Sequence, residues 1–416
     1  MHRLIPKRRI SMIKPSLIEL IHKGTVIQRW NDHIRPFTGF TEIDKQAHKT
    51  FYAFILAKCQ QDSGGEVNFN RLIEGLVFEY LHRIILTDIK PPIYHRLKEQ
   101  MGDQISAWVE QQLKDEIGEI KGGFDQKLHR YLLDNTYSVT EKKIIKFAHY
   151  LATKWEFDII YPMNIGMYNI EKTRSEVNST LSTCDWFEGK KMIYQSPKIF
   201  DFLNLIGQLR FQQRWTATAR IPQTSVMGHT LVVAMLSYFF TLEMDGCPQR
   251  CTNNFFGGLF HDLPEVLTRD IISPVKRGVE GLDNILKEIE DSQMKDIVYP
   301  LLPDSWSDQL EYYTQNEFYS KIRQNGEVKI VSSEEISRDY NRDEFDPIDG
   351  KIIRGCDHLS AYLEAYLSMQ NGIEAEPLKK AIEKLYSDYQ NTKIAGLDLG
   401  SYFQYFYQKY HESRQN

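Results

Sequence analysis

An adjacent His-Asp pair, His261-Asp262, lies in a strongly apolar stretch of this 416-residue sequence and is the best candidate for chemistry. A carboxylate buried among apolar side chains is costly unless a positive group compensates it. A divalent metal ion provides that compensation, and neutral imidazole and ionised carboxylate are suitable ligands. Glu265 follows His261 by four residues, so on a helix both side chains project from one face, where Glu265 can hold a metal-bound water. The alternative interpretation is a buried, hydrogen-bonded His-Asp pair without a metal.

Two further positions complete a set of metal ligands. His229 begins the apolar run Leu231 to Leu242, and Asp357 is an isolated acid within another helical pattern. With the His-Asp pair they offer three or four nitrogen and oxygen ligands, which suit one Mn, Co, Fe, Mg or Zn ion with open positions for water and substrate. The predicted metal ligands are therefore His229, His261, Asp262 and Asp357.

The residues around these ligands carry a family resemblance. Arg214-Trp215 precedes His229 by fifteen residues, His261 to Asp270 reads His-Asp-x-x-Glu-Val-Leu-Thr-x-Asp, and Pro274-Val275-Lys276 follows shortly after. This arrangement resembles the HD superfamily of metal-dependent phosphohydrolases, whose pattern is His, then His-Asp, then Asp, all on helices. The resemblance is closer still to the bacterial 5′-deoxynucleotidase family, and it covers about residues 214–370.

The resemblance implies a role for each residue beside the metal. Glu265 would orient or deprotonate the metal-bound water, and Asp270 would assist or protonate the leaving oxygen. Arg214 would bind the non-bridging phosphate oxygens, because its planar fork of donors matches a phosphate. Trp215 would stack against the sugar, and in the resembling family this ring crowds the 2′ position, which implies a preference for deoxyribose. The segment from Asp270 to Ser273 would line the sugar-phosphate pocket.

Two features distinguish this chain within the superfamily. Gly228 stands where the 5′-deoxynucleotidases usually have Glu, directly before the first metal-binding His. The interval between Asp262 and Asp357 contains no histidine, whereas HD phosphodiesterases with two metals and several HD triphosphohydrolases have one there. We therefore predict a single metal ion and a 5′-nucleotidase that acts on (deoxy)nucleoside monophosphates. The alternatives are a dNTP triphosphohydrolase, another HD phosphodiesterase, or a catalytically weak nucleotide-binding regulator.

The first half of the chain resembles a degenerate copy of the second, and a repeat of this length is a duplicated domain. The predicted correspondences are Arg29-Trp30 with Arg214-Trp215, His48 with His229, Glu79-Tyr80 with His261-Asp262, and His149 with Asp357. We predict a degenerate HD-like domain at 1–163, a polar linker at 164–191, and a catalytic HD domain with a helical tail at 192–416. Since two such domains form a dimer in the resembling family, the halves predict an internal pseudo-dimer.

Three roles are open for the degenerate half. It is either a packing partner without chemistry, a second metal site formed by His48, Glu79 and His149, or a nucleotide sensor that uses Arg29-Trp30 without catalysis.

Composition and patterning set the fold class and the compartment. Hydrophobic residues make up 42% and charged residues 26%, which is ordinary for a globular protein, and almost no segment alternates with period two, so we predict an all-α fold. A net charge of −5 argues against long nucleic acid as a partner. Five cysteines without a repeated spacing, no secretion signal and no membrane-spanning run predict a cytoplasmic protein. We expect a small-molecule nucleotide as partner, and a monomer with pseudo-dimeric halves or a homodimer.

Overall fold

A computed structural model of the chain confirms the all-α prediction and describes residues 13–30, 40–87, 89, 91–182, 189–269 and 279–412. The helices of the first half and of the segment that follows it are α1 (Pro15–His22), α2 (Glu42–Asp62), α3 (Phe69–Leu86), α4 (Pro91–Ile117), α5 (Phe124–Leu133), α6 (Val139–Ile160), α7 (Ile170–Ser182) and α8 (Lys190–Gln195). The second half contains α9 (Pro197–Gly207), α10 (Val226–Glu243), α11 (Pro248–Phe260), α12 (Glu265–Thr268), α13 (Leu282–Gln293), α14 (Asp304–Thr314), β1 (Lys321–Gln324), β2 (Glu327–Ile330), α15 (Ser333–Glu335), α16 (Gly350–Gln370), α17 (Glu376–Tyr389) and α18 (Gly400–Glu412).

Helix α10 lies at the centre of the molecule. It packs against α2 of the first half and against α11 and α16 of the second, within one continuous hydrophobic core. A helix that is apolar on all sides is either buried in a core or spans a membrane. By length and composition α10 is able to do either, and 89% of it is buried in this fold. The helix that carries His229 is therefore a core helix held by both halves of the chain.

Side-chain caps determine where the helices near the predicted site begin. Thr41, Ser225 and Asp349 directly precede α2, α10 and α16. The side chain of each accepts a hydrogen bond from the backbone N–H of the third residue that follows it. These residue types are favoured at such positions because they bond an amide that has no partner within the helix. The caps set the register of α10 and α16, and so the faces on which His229 and Asp357 lie.

The two halves meet closely between α2 and α10. A Cβ atom on Gly228 would lie 3.0 Å from Oδ1 of Asp44, and the Ser225 hydroxyl donates to the same oxygen. Burial raises the pKa of Asp44. A glutamate at position 228, as in the resembling family, would bring a second carboxylate against it, so the contact explains the glycine. Asp44 and Gly228 each lie three residues after a cap, so equivalent residues of the halves touch; the pseudo-dimer itself stays a prediction.

The predicted linker contains regular structure. Helix α7 lies within 164–191 and packs against α6. Ile170 and Leu181 of α7 are buried, and Val177 contributes to the same small cluster of apolar side chains as Ile170. Their spacing of seven and four residues matches one helix face, a signal that the polar composition of the segment obscures. The division of the chain into domains stays a prediction.

A short hairpin supports the start of α16. Strands β1 and β2 are joined by Asn325 and Gly326, whose φ angles of 53° and 80° are those of the tight turns that Asn-Gly favours. Ser320, directly before β1, and Ser333, shortly after β2, both donate to Oδ1 of the cap residue Asp349. The hairpin thus holds the first turn of the helix that carries Asp357.

The Arg250–Asp349 ion pair predicts a large effect on stability. The two side chains are fully buried and 2.7 Å apart. Asp349→Ala leaves the guanidinium unpaired in the core and removes the cap of α16, so we expect a loss of about 3–5 kcal/mol in the free energy of unfolding. Urea denaturation followed by circular dichroism measures this loss. Asp339→Ala, which breaks the exposed Arg338–Asp339 pair, is the matched control and should leave the midpoint unchanged; equal midpoints for both variants would contradict the prediction.

Candidate metal centre

The structure brings together the four side chains predicted to bind metal. Ligand atoms of His229 on α10, His261 after α11 and Asp357 on α16 all lie within 4.8 Å of one another. Asp262 joins them, with its Oδ1 3.2 Å from Nε2 of His261 and its Oδ2 3.8 Å from Nε2 of His229. Residues 128 positions apart in the chain are thus placed around one point by the packing of α10, α11 and α16.

The His-Asp pair lies in a turn rather than within a helix. Helix α11 ends at Phe260, α12 begins at Glu265, and bonds between residues three apart join them, including Leu263 N–H to the Phe260 carbonyl at 3.0 Å. Pro264 explains the break, because it has no N–H to donate to the carbonyl of Phe260, four residues earlier. The prediction of one continuous helix carrying His261 and Glu265 is therefore wrong. Glu265 instead opens α12, and its N–H donates to the Asp262 carbonyl at 3.1 Å.

Both imidazoles are oriented so that their Nε2 atoms face the cluster. Nδ1 of His261 lies 2.8 Å from the Gly258 carbonyl, which only accepts, so Nδ1 carries the hydrogen and Nε2 of the neutral ring has the lone pair. Nδ1 of His229 lies 3.1 Å from the Ser360 hydroxyl and 3.5 Å from the Glu364 carboxylate, which favours the same tautomer. Such contacts on the far nitrogen orient histidines that bind metals.

The charges in the cluster favour a cation. Burial alone would lower the pKa of His261, but the adjacent Asp262 and Asp357 carboxylates outweigh it and raise that pKa to about 9. Burial opposes ionisation of both acids, yet the two imidazoles hold the pKa of Asp262 and of Asp357 below the ordinary value. Nε2 of His261 and Oδ2 of Asp262 are buried without a hydrogen bond among the described residues. Two imidazoles, two carboxylates and these unsatisfied atoms fit a divalent metal ion.

Arg214 and Trp215 border the cluster through a residue that the sequence analysis missed. Oε2 of Glu364 accepts from Nε of Arg214 at 3.1 Å and from the indole N–H of Trp215 at 2.8 Å. The guanidinium also reaches Asp262, with 3.6 Å between Nη1 of Arg214 and Oδ2 of Asp262. Glu364 lies seven residues after Asp357 among apolar residues of α16. An acid in an apolar stretch, two helical turns from a predicted ligand, is a signal in the sequence that could have identified it.

Part of the predicted pocket lies outside the described residues. Asp270, predicted to act on the leaving oxygen, and Ser273, predicted to line the sugar pocket, fall in the range 270–278, as does Pro274-Val275-Lys276. Their roles stay predictions.

The Arg-Trp dipeptides of the two halves share one local structure. Trp30 and Trp215 have positive φ angles of 59° and 61°, and each donates its indole N–H at 2.8 Å to a buried glutamate, Glu156 or Glu364. The preceding arginine donates its Nε to the same oxygen in both halves, at 2.9 and 3.1 Å. Each glutamate lies seven residues after the position that corresponds to the last metal ligand.

The counterpart of His229 in the first half is Lys45, and the predicted match with His48 is wrong by three residues. His229 and Lys45 both lie four residues after their caps, Ser225 and Thr41, and each cap forms a bridge with the residue before its Arg-Trp dipeptide. His48 faces elsewhere on α2, where its Nε2 lies 3.3 Å from a backbone carbonyl of α9.

The first half does not assemble the predicted second metal site. Its three candidate ligands are His48, Glu79 and His149, but Glu79 pairs with Lys49 at 3.0 Å, and the Lys45 ammonium contacts Nδ1 of His149. Among the described residues, no group of three ligand atoms close enough for a metal includes one from this half. The described residues therefore do not support the second of the three roles left open for this half, a metal site.

Comparison with known proteins identifies one matching family model and two distant relatives. Residues 206–386 match the family model described as the HD domain. A 5′-deoxynucleotidase of Pasteurella multocida is 20% identical over 209 residues, which cover 47% of this chain and 89% of the relative. A 4′-phosphooxetanocin A phosphatase of Priestia megaterium is 24% identical over 176 residues, which cover 41% of this chain and 74% of the relative. The family match contains all four residues of the metal cluster, as well as Arg214, Trp215 and Glu364.

Proposed function

We propose, from the match of residues 206–386 to the HD domain family model, that this chain is a metal-dependent phosphohydrolase, and more specifically a 5′-nucleotidase that releases phosphate from (deoxy)nucleoside monophosphates. The observation that carries the proposal is the convergence of two imidazoles and two carboxylates beside Arg214 and Trp215. One relative is a 5′-deoxynucleotidase by name and the other is a phosphatase by name, and together they support a nucleotide-like phosphomonoester as substrate.

The proposed mechanism assigns the metal to His229, His261, Asp262 and Asp357. These residues would hold a divalent ion, which would polarise a phosphate oxygen and lower the pKa of a nearby water. Glu265 accepts a proton from the attacking water, and Asp270 donates one to the departing sugar oxygen. Arg214 binds the non-bridging phosphate oxygens, since its guanidinium extends from Glu364 to the edge of the cluster at Asp262.

Trp215 is proposed to set the preference for the sugar. Its backbone φ of 61° and its bond to Glu364 hold the indole in one orientation next to Arg214. A ring held rigidly beside the bound phosphate faces the sugar, and crowding at the 2′ position then favours deoxyribose.

A phosphate-release screen tests the substrate and the metal together. The purified full chain is assayed with Mn²⁺ or Co²⁺ on ribo- and deoxynucleoside mono- and triphosphates, and again after removal of metal by EDTA. We expect release from monophosphates, faster from deoxynucleotides, and its loss with EDTA and recovery with added metal. Triphosphate hydrolysis without monophosphatase activity would replace the proposed substrate, and no release under any condition would favour a nucleotide-binding regulator.

A further inference from the structure

The first half has basic residues where the second half has its metal cluster. Seven positions correspond between the halves, and in the second half they carry four carboxylates and one guanidinium, whereas in the first half they carry two carboxylates, two guanidiniums and one ammonium. The residues of the first half, in the order of their counterparts from Arg214 to Glu364, are Arg29, Lys45, Glu79, Tyr80, Arg83, His149 and Glu156. Because of these replacements, the seven positions of the first half form an environment that attracts an anion, whereas those of the second half attract a cation.

Lys45 is fully buried and forms no ion pair with a carboxylate among the residues that the structure describes. Its ammonium contacts Nδ1 of His149, and the ion pairs among the described residues give it no carboxylate partner. Burial first, and then the charges of Arg29 and Lys49, lower the pKa of Lys45 well below its ordinary value. A buried ammonium without a carboxylate is costly, and a bound anion would remove that cost.

The carboxylates nearby do not balance the neighbouring cations. Lys49 pairs with Glu79 at 3.0 Å, while Glu42 and Glu156 are shared by three guanidiniums, those of Arg29, Arg83 and Arg210. Two carboxylates therefore lie among three guanidiniums, beside the Lys45 ammonium, which has no carboxylate partner among the described residues. Among the described residues, the side chains around Lys45 therefore carry more positive than negative charge.

The site opens to solvent at least as much as the metal centre does. The side chains of Glu79 and Arg83 are 35% and 22% exposed, against 16% for Asp262 and 19% for Asp357. His149 is partly buried beside the Lys45 ammonium, and burial and the four surrounding cations hold its pKa well below the ordinary value. The outer edge of this group of basic side chains, at Glu79 and Arg83, is therefore accessible to a small solute.

We propose that Lys45, Lys49, Arg83 and His149, the basic cluster, bind a phosphate-bearing anion without chemistry. Ammonium and guanidinium donors that converge from α2 and α3 suit the several acceptor oxygens of a phosphate. Hydrolysis is not expected, because the basic cluster has no arrangement of metal ligands among the described residues. The ligand is either free phosphate or the phosphate of a nucleotide. The inference goes beyond the proposed function and does not depend on it.

Isothermal titration calorimetry on a metal-free variant tests the basic cluster. The full chain with His261→Ala, in EDTA, is titrated with inorganic phosphate and separately with thymidine 5′-monophosphate, so that the metal centre of the second half cannot dominate binding. We expect saturable binding, and at least about tenfold weaker binding after Lys45→Met is added, because a charge-assisted contact is lost. Tighter binding of the nucleotide identifies a nucleotide ligand, and equal affinity identifies phosphate itself.

Two further variants keep the test decisive. Lys172→Met, at an exposed lysine of α7, is the matched control and should bind both probes as the parent does. Arg83→Gln changes the outer edge of the basic cluster and should also weaken binding if Lys45→Met fails to fold. Absence of saturable binding for both probes, or an affinity that neither cluster variant changes, would overturn the proposal.

Discussion

His261→Ala is expected to reduce kcat/KM for phosphate release by about 10³-fold or more, because it removes one of the ligands around which the cluster is built. The ring is fully buried, and its Nδ1 bond to Gly258 leaves Nε2 directed at Asp262 and the other ligands. Alanine supplies no replacement donor. Steady-state phosphate release with excess Mn²⁺ measures the loss in rate, and the metal content of the purified protein measures the loss of the ligand.

A histidine far from the cluster is the control for this prediction. His129 lies on α5, where its side chain is 59% exposed and pairs with Glu110. His129→Ala should retain full activity and metal content. Near-wild-type turnover by a folded His261→Ala protein would show that the His-Asp pair is structural, which is the alternative interpretation of this dipeptide.

Glu364→Gln is expected to lower metal affinity and activity by about 10–100-fold, although Glu364 is not predicted to touch the metal. Its carboxylate bonds Arg214 and Trp215 and lies 3.5 Å from Nδ1 of His229. Burial opposes its ionisation, but Arg214 and Arg220 hold the pKa of Glu364 well below its ordinary value. The amide has nearly the same shape but removes the charge that pairs with the guanidiniums and polarises the imidazole. Metal titration and a kcat against KM comparison measure the effect.

The first half provides a matched control for Glu364. Glu156 accepts from Trp30 and from Arg29 in the same geometry, and it also pairs with Arg210 at 2.8 Å. Glu156→Gln and Glu364→Gln should both lower the unfolding midpoint, because each removes a buried carboxylate that pairs with guanidinium groups. Only Glu364→Gln should lower metal affinity. Equal metal affinity for the two variants would show that Glu364 has a structural role alone.

The type and spacing of residues were sufficient for the fold class and for the four side chains that the structure brings together as a candidate metal site. Apolar residues at helical spacing identify buried helices in any fold, and α10 is an example. Ionisable residues inside apolar stretches are costly, so His229, the His-Asp pair and Asp357 indicated a site before their positions in space were known.

Loop geometry explains where the predictions from the sequence were wrong. The number of residues between the Arg-Trp dipeptide and the following helix differs by one between the halves, so matching by residue type selected His48 where the cap at Thr41 selects Lys45. The break before α12 has a related cause. Helical periodicity predicts one helix through His261 and Glu265, but Pro264 cannot donate one of the hydrogen bonds that such a helix needs.

The amino-acid sequence alone determined that this chain is built of helices and that its second half contains imidazoles and carboxylates suited to a divalent ion, because both follow from local patterns of polarity. The tertiary structure decided that Glu364 joins Arg214, Trp215 and His229, and that Lys45 and Lys49 lie where the first half would need metal ligands. These partners are far apart in the chain, and the energy of a buried charge depends on which charges the packed helices bring beside it.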